Sequence, residues 1–155
     1  MQYIEINGRK ALSGEIELSG SKNSALPILA SSLLSDKCIK LSNVPSLEDV
    51  KSMISLIESL GAKVKKKDQN YILVTNKILS HEANYNLVRK MRASFLALGP
   101  LLTREGVAKI SLPGGCAIGS RPVDLHLYAM KKLGATIDFF DGYVIAKSNR
   151  KGLKG

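Results

Sequence analysis

Cys116 has the setting in this sequence that most strongly suggests chemistry. It lies in a loop over 113–124 that reads PGGCAIGSRPVD, with three glycines and a cation close to the thiol. Glycine allows the backbone to approach a ligand closely, and a neighbouring Arg121 or a helix N-terminus makes a thiol easier to ionise. Such a thiol can act as a nucleophile or as a proton donor. Asp124 and His126 are crowded into the same loop and helix start, which argues against a Cys-His-Asp hydrolase.

Two other segments have the composition of an anion-binding site. The first reads GSKNS over 20–24 and leads into a helix, whose unpaired N–H groups and positive end favour a phosphate or carboxylate beside Lys22. The second reads RKMR over 89–92 and places basic charge at another helix start, which is unfavourable unless an anion is bound. Simple capping of the first helix and solvent screening at the second remain alternatives. No P-loop string is present, so nucleotide hydrolysis is not implied.

Composition limits the class of protein. The 155 residues are 45% apolar, which is enough to bury a core of ordinary size, and the first residues lack the pattern of a secretory signal. Because no run of about 18 apolar residues occurs, we expect a cytoplasmic protein with no membrane segment. The two cysteines match neither a disulfide framework nor a zinc site, so we expect no metal and no cofactor. Cys38, in a short apolar run, is predicted to be a buried thiol.

The net charge of +10 raises the alternative of nucleic-acid binding. Much of the excess lies in KVKKK at 63–67, which is typical of a solvated strand and turn, and in RKGLK at 150–154. Aromatic residues make up only 5% of the sequence and Trp is absent, so few side chains could stack on bases. We therefore expect no nucleic-acid partner.

The sequence contains two copies of one unit. SALPILASSLL at 24–34 resembles RASFLALGPLL at 92–102, and Pro45 corresponds to Pro113 at the same offset of 68 residues. Further on, LGAKV at 60–64 corresponds to LGATI at 133–137, where the offset has grown to 73. The second copy therefore carries five additional residues, which fall in the loop that holds Cys116. An insertion between intact parts of a repeat is expected to be a surface loop, and function is often placed on such loops.

Each unit is predicted to contain a strand, a helix, a strand, a helix and two further strands. In the first unit EIEL at 15–18 alternates as a strand, an apolar stripe through 26–33 predicts a helix, and SLED at 46–49 has the form of a capping box. In the second unit we expect a helix over about 90–103, a strand over 107–111, a helix over about 122–133 and a hairpin turning at 141–142. These elements predict an α/β fold with helices packed inside mixed sheets. The first unit covers 1–80 with an N-terminal strand inside 1–20, and the second covers 81–155 with the Cys116 loop.

Three strings closely resemble the UDP-N-acetylglucosamine 1-carboxyvinyltransferase family of enolpyruvyl transferases. They are GSKNSALP at 20–27, MRAS at 91–94 and LPGGCAIGSRPVDLH at 112–126, and the likeness runs along nearly the whole chain. The cysteine loop separates this family from the related shikimate-pathway enzymes, which lack it. The resemblance implies a fold of repeated units in which two domains close over phosphoenolpyruvate and UDP-N-acetylglucosamine.

The resemblance also implies roles for individual residues. Lys22 and Asn23 correspond to contacts with phosphoenolpyruvate and the active site, and Arg92 to a substrate-binding arginine. Cys116 corresponds to the proton donor, which also forms an adduct with phosphoenolpyruvate and is the target of fosfomycin. The segment that would hold the UDP moiety comprises Arg121, Pro122, Val123, Asp124 and Leu125. The implied reaction transfers the enolpyruvyl group to the sugar 3-hydroxyl and releases phosphate, in peptidoglycan synthesis.

The length of the sequence departs from this family. Family members are several hundred residues long and contain six such units, whereas two are found in these 155 residues. The remaining nucleotide contacts, the carboxylate to which catalysis is ascribed and further phosphate-binding arginines have no counterpart here. We therefore expect an N-terminal portion with little or no turnover by itself, for which the C-terminal portion of the enzyme is a candidate partner. The alternative is a non-catalytic fragment that binds nucleotide or other anions.

Overall fold

The computed structural model describes residues 3–9, 11–89, 91–112, 123–149 and 152–154. Within these ranges the α-helices are α1 (Lys22–Ser31), α2 (Glu48–Ser59), α3 (Tyr85–Val88), α4 (Leu98–Glu105) and α5 (Asp124–Lys132). Two 3₁₀ helices cover Ser32–Leu34 and Arg92–Ala97. The strands are β1 (Ile39–Leu41), β2 (Lys63–Lys67), β3 (Asn70–Val74), β4 (Glu82–Ala83), β5 (Val107–Ser111), β6 (Thr136–Phe140) and β7 (Tyr143–Lys147).

The first three strands form one antiparallel sheet in the order β1-β3-β2. Strands β2 and β3 make a tight hairpin in which Lys67 pairs with Asn70, and Asp68 adopts the left-handed conformation that aspartate tolerates in turns. Along β3, Tyr71 and Leu73 are buried while Ile72 is exposed, as the alternation of side chains along a strand requires. One face of this sheet therefore faces the core.

The other four strands form a mixed sheet in the order β4-β5-β7-β6. Strand β4 runs parallel to β5, and the other two pairings are antiparallel. The β6–β7 hairpin turns at Asp141 and Gly142, both of which have positive φ, as a tight type I′ hairpin turn requires. Ala108, Ile110, Val144 and Ala146 are fully buried, so the two central strands carry the inner face of this sheet.

The helices join both sheets to a single hydrophobic core. Helix α1 packs against α2 and against the 3₁₀ helix Arg92–Ala97, α2 also contacts β2, and α4 contacts β5 and β7. The apolar stripe predicted for the first helix is buried, with Leu26, Leu29 and Ala30 in α1 and Leu33 in the 3₁₀ helix that follows it. The structure thus confirms the predicted α/β fold, in which helices pack inside the sheets.

The predicted N-terminal strand is wrong, because residues 15–18 form no strand and pair with none in the part of the chain that the structure describes. Ile16 is 86% exposed and Leu18 is 80% exposed, and four further large apolar side chains of 3–12 are also exposed. Alternation indicates only that a segment could pair with a sheet, since a strand needs a neighbour to satisfy its backbone hydrogen bonds.

Two predictions about helix starts are also wrong. Helix α2 is preceded by Leu47 at its N-cap with no side-chain cap, so Ser46 does not form the predicted capping box. The helix expected over 90–103 is instead the 3₁₀ helix Arg92–Ala97 followed by α4. Pro100 lies in the first turn of α4, where its missing N–H leaves no intrahelical hydrogen bond unmade.

Candidate functional site

Lys22 is the first residue of α1 and forms an ion pair with Asp49 in the first turn of α2. The Lys22 Nζ atom lies 2.9 Å from Asp49 Oδ2, and the two side chains are 45% and 37% exposed. Packing of α1 on α2 brings these two helix starts together. The ammonium group is therefore anchored on one side and accessible to solvent on the other.

The backbone that leads into α1 is held by Asn43. The Gly20 N–H donates to Asn43 Oδ1 at 3.0 Å, and Asn43 Nδ2 donates to the Leu18 carbonyl at 3.4 Å. A side chain at position 20 would place its Cβ 1.8 Å from the Asn43 carbonyl oxygen, so only glycine fits at this position. The close approach fixes the direction in which the chain enters the helix that begins with Lys22.

The start of α1 has the physical properties of an anion-binding position. Ser21 at the N-cap makes no side-chain cap and the first turn contains no acidic residue, while the first N–H groups of any helix lack intrahelical acceptors. Asn23, the second residue of the helix, is exposed. Lys22, Asn23 and the positive end of the helix together offer hydrogen-bond donors and positive charge to a phosphate or carboxylate.

Arg92 begins a 3₁₀ helix rather than the predicted α-helix, and its side chain is exposed. Met91 before it is buried, and Ser94 two residues after it is fully buried. The Ser94 hydroxyl has no hydrogen-bond partner within the described residues. The segment is therefore fixed to the core on one side, while Arg92 stays on the surface.

Cys116, Arg121 and Pro122 lie outside the described residues, so their predicted roles stay predictions. Both flanks of their segment are anchored: the Leu112 N–H donates to the Gly142 carbonyl at 2.9 Å, and the Leu127 N–H donates to the Val123 carbonyl at 3.1 Å. The Val123 side chain is buried, whereas Asp124 and Leu125 are exposed at the start of α5. The segment over 113–122 therefore connects the end of β5 to the start of α5.

The two histidines have ordinary structural settings. The His126 ring packs edge-on against Phe95, with ring centroids 5.8 Å apart and planes at 82°, which accounts for this half-buried imidazole as a packing group. His81 is exposed. The described ranges contain no group of three or more His, Cys, Asp or Glu residues that could hold a metal ion.

Cys38 corrects a prediction, because its thiol is exposed rather than buried. It precedes β1, which is an edge strand of the first sheet, and the half-buried residues of that strand are Ile39 and Leu41. The apolar run indicated a strand correctly, but its first residue lies beyond the paired segment and outside the core. Thiol chemistry on this protein must therefore separate Cys38 from Cys116.

A pocket of about 440 Å³ lies elsewhere, near the end of α4 and the end of β7. It is lined by Thr103, Glu105, Gly106, Ser148, Asn149 and Gly152, and none of the predicted site residues that the structure describes is among them. Across the described ranges, no helix is long and apolar enough to cross a membrane.

The structure brings three predicted elements onto one core. Helix α1 contacts the 3₁₀ helix that begins with Arg92, and Phe95 of that 3₁₀ helix contacts His126 of α5. The sequence interpretation missed Asp49 and Asn43, which hold Lys22 and the backbone before it. Asn43 precedes a Val-Pro pair, a local sign of a turn, whereas no local pattern indicates that Asp49 meets Lys22.

A comparison with known families matches residues 6–155 to the EPSP synthase (3-phosphoshikimate 1-carboxyvinyltransferase) model. UDP-N-acetylglucosamine 1-carboxyvinyltransferase of Campylobacter jejuni subsp. doylei is 53% identical over 152 residues, which cover 98% of this chain and 36% of the relative. The protein of the same name from Helicobacter pylori is 54% identical over 156 residues, which cover 100% of this chain and 37% of the relative. The chain thus spans little more than a third of the length of these relatives.

Solved structures show the same fold. The enolpyruvyl transferase NikO from Streptomyces tendae matches 92% of this chain and 31% of its own, with a TM-score of 0.77 and 23% identity. EPSP synthase from Acinetobacter baumannii matches 92% of this chain and 33% of its own, with a TM-score of 0.64 and 14% identity. At these identities the likeness establishes the fold alone.

Proposed function

Because the chain belongs to the EPSP synthase family of enolpyruvyl transferases, we propose that it forms the N-terminal part of an enzyme that transfers the enolpyruvyl group of phosphoenolpyruvate to UDP-N-acetylglucosamine. It is homologous to that part of UDP-N-acetylglucosamine 1-carboxyvinyltransferases, and identities of 53% and 54% over nearly the whole chain carry the proposal. The reaction belongs to peptidoglycan synthesis. Identity to EPSP synthase of Acinetobacter baumannii is only 14%, which favours the UDP-sugar over the shikimate substrate.

The proposed reaction is an addition followed by an elimination. The 3-hydroxyl of the sugar adds to C2 of phosphoenolpyruvate and gives its proton to a carboxylate in the rest of the enzyme, while C3 gains a proton from Cys116. The tetrahedral intermediate then returns a proton from C3 to the Cys116 thiolate as its C2–O bond to phosphate breaks. The enol ether forms on the sugar, and the leaving phosphate takes up the proton held by the carboxylate. Cys116 also forms a covalent adduct with phosphoenolpyruvate in this proposal. No metal or cofactor takes part.

The start of α1 supplies the phosphoenolpyruvate contacts in the proposal. Lys22 presents an anchored and partly exposed ammonium group, Asn23 is exposed beside it, and the helix end adds N–H donors. Arg92 on the neighbouring 3₁₀ helix provides a second cation for the substrates. Phosphoenolpyruvate and the UDP moiety are both anionic, which gives the net charge of +10 a role without nucleic acid.

The segment from Arg121 to Leu125 is proposed to hold the UDP moiety. Because the Val123 side chain is buried, this residue would contact the nucleotide through its backbone. Asp124 and Leu125 are exposed and can contact it through their side chains, while Arg121 supplies charge for the diphosphate.

We expect the 155-residue chain by itself to show little or no turnover, because it spans only 36–37% of the length of the relatives. A second candidate function is a non-catalytic fragment that binds nucleotide or other anions. The exposed Lys22 and Asn23 support that reading without requiring the rest of the enzyme. The two functions are separated by covalent chemistry at Cys116 and by turnover.

Protection of Cys116 tests substrate binding in this chain. Replacing the exposed Cys38 by Ser leaves Cys116 as the single thiol, because the sequence contains two cysteines. Alkylation by iodoacetamide should then slow about tenfold when UDP-N-acetylglucosamine is present at ten times its Kd. Incubation with phosphoenolpyruvate should add its mass to Cys116, whereas the C38S/C116A control should gain none. Full alkylation rates at saturating ligand and no adduct would contradict the proposed function.

Turnover is tested by restoring the missing length. In a chimera, this chain replaces the aligned N-terminal part of the Campylobacter jejuni relative, to which it is 53% identical. The chimera should release phosphate only when UDP-N-acetylglucosamine is present, and its Cys116→Ala variant should not. The isolated chain should release little or none under the same conditions. An inactive chimera that folds and binds UDP-N-acetylglucosamine would favour the non-catalytic function.

A further inference from the structure

We propose that Asp49 is a positioning residue that holds the Lys22 ammonium group in place for an anionic substrate group. The inference rests on the proposed function, since it takes Lys22 as a contact to phosphoenolpyruvate. Its basis is the ion pair between Lys22 Nζ and Asp49 Oδ2 at 2.9 Å, which joins the first residue of α1 to the first turn of α2.

Stability does not require this ion pair. Its side chains are 45% and 37% exposed, and exposed ion pairs contribute little to stability because water screens them. The two helices are already held together by their buried faces, which include Leu26 and Leu29 on α1 and Met53 on α2. Orienting Lys22 is therefore a better explanation for a carboxylate at position 49 than stabilising the fold.

The helix electrostatics favour Asp49 and disfavour Lys22 where they stand. Asp49 is stabilised by the positive end of α2, whereas Lys22 is opposed by the positive end of α1. Helix α1 has no acidic residue in its first turn, so the carboxylate that offsets its lysine comes from the neighbouring helix. Val50, next to Asp49, is fully buried, which fixes the backbone that carries this carboxylate.

A lysine side chain has a long flexible stem, and fixing it in one conformation costs considerable entropy. The ion pair restricts Lys22 before any ligand arrives, so a substrate phosphate or carboxylate meets an ammonium group that is already in position. The same carboxylate also repels an anion, but this repulsion is weakened by the solvent that reaches both side chains. We expect the restriction to outweigh the repulsion.

Glu48 supplies a matched control. It stands beside Asp49 in the same first turn of α2, but its ion pair is with Lys51. Glu48→Gln and Asp49→Asn change the net charge by the same amount at adjacent positions. A difference between the two variants therefore reports the contact with Lys22 rather than a general change in charge.

NMR on the 155-residue chain measures both the order of the Lys22 side chain and the affinity for phosphoenolpyruvate. Relaxation of the Lys22 ammonium nitrogen measures side-chain order without ligand, and a titration with phosphoenolpyruvate followed at the amides of Lys22 and Asn23 measures affinity. Asp49→Asn should lower the Lys22 order parameter by roughly half, from a restricted to a flexible value. It should also weaken phosphoenolpyruvate binding about tenfold, which is about 1.4 kcal/mol, while Glu48→Gln changes neither quantity.

Three outcomes would overturn the inference, and they are distinguishable. If Lys22 order is the same in wild type and Asp49→Asn, the ion pair does not restrict the lysine. If order falls but affinity is unchanged or rises, Asp49 competes with the ligand instead of preparing Lys22 for it. If the wild-type chain shows no shifts with phosphoenolpyruvate at Lys22 or Asn23 while order behaves as expected, the proposed substrate contact fails and the inference fails with it.

Discussion

Arg104 provides the sharpest test of how the two halves of the chain are joined. It lies in the last turn of α4, and its guanidinium donates to three carbonyl oxygens in the first half. These are the carbonyls of Leu33 at 2.9 Å, Ser35 at 3.3 Å and Asn76 at 3.0 Å. We predict that Arg104→Ala destabilises the whole fold, because one planar side chain ties the end of the first helical segment and the end of the first sheet to the second half.

The magnitude follows from the environment of each carbonyl. A hydrogen bond to a charged group contributes about 1.5–3 kcal/mol, and an acceptor left buried costs more than one that regains water. Asn76 is exposed and Ser35 is half-buried, so their carbonyls can hydrate again, whereas Leu33 is fully buried. We therefore expect Arg104→Ala to lower the free energy of unfolding by about 2–3 kcal/mol, roughly the full value of one such bond.

Urea denaturation followed by circular dichroism measures this loss, with the m-value confirming that the same surface is exposed. Arg104→Lys should lose about 1–2 kcal/mol, because an ammonium group cannot reach three acceptors in the geometry of a guanidinium fork. Lys132→Ala is the control: this cation lies over the Tyr128 ring at 5.5 Å and should contribute only about 0.5 kcal/mol. If Arg104→Ala cost no more than Lys132→Ala, or Arg104→Lys matched wild type, Arg104 would not tie the halves together.

Three further predictions concern glycine, the N-terminal segment and the thiols. Gly61→Ala should destabilise by about 2–4 kcal/mol in the same urea assay, because φ is +117° and the new Cβ would lie 2.5 Å from the Lys77 carbonyl oxygen. Gly142→Ala is the control: φ is +75° but the space around it is open, so it should cost only about 1 kcal/mol. Equal costs for the two variants would contradict the clash at Gly61. Deleting residues 1–18 should shift the melting temperature by less than about 2 °C, since the large apolar side chains that the structure describes in this segment are exposed and Leu18 meets the folded body through a long, 3.4 Å bond from Asn43. A large drop in a thermal scan would show that the segment packs. In the Cys116→Ala variant, Cys38 should react with a thiol reagent at the rate of a free cysteine peptide, because it is exposed. A slower reaction that reaches the peptide rate only in urea would refute that exposure.

Much of the fold could be predicted because its elements follow local patterns. The stripe in α1, the extent of β5 and the hairpin turn at Asp141 and Gly142 are readable from side-chain periodicity and turn residues. The repeat between the two halves pointed to one architecture, and the strings around Lys22 and Arg92 indicated the family. Each of these signals lies within a short stretch of sequence.

The failures share a physical cause, because they depend on neighbours that a local pattern does not reveal. EIEL at 15–18 alternates as a strand but has no neighbouring strand in the described structure, and Cys38 lies one residue before the paired part of β1. Periodicity records which residues could face a core, but not whether a partner is present.

The sequence by itself determined the α/β class, most helices and strands, the membership of the enolpyruvyl transferase family and the candidate residues Lys22, Asn23 and Arg92. Tertiary structure alone decided which groups meet: Lys22 with Asp49, Gly20 with Asn43 across 23 positions, and Arg104 with Leu33 across 71 positions. The reason is that helix and strand formation depend mainly on nearby residues, whereas an ion pair or a backbone hydrogen bond between distant segments exists only after the core has packed their elements together.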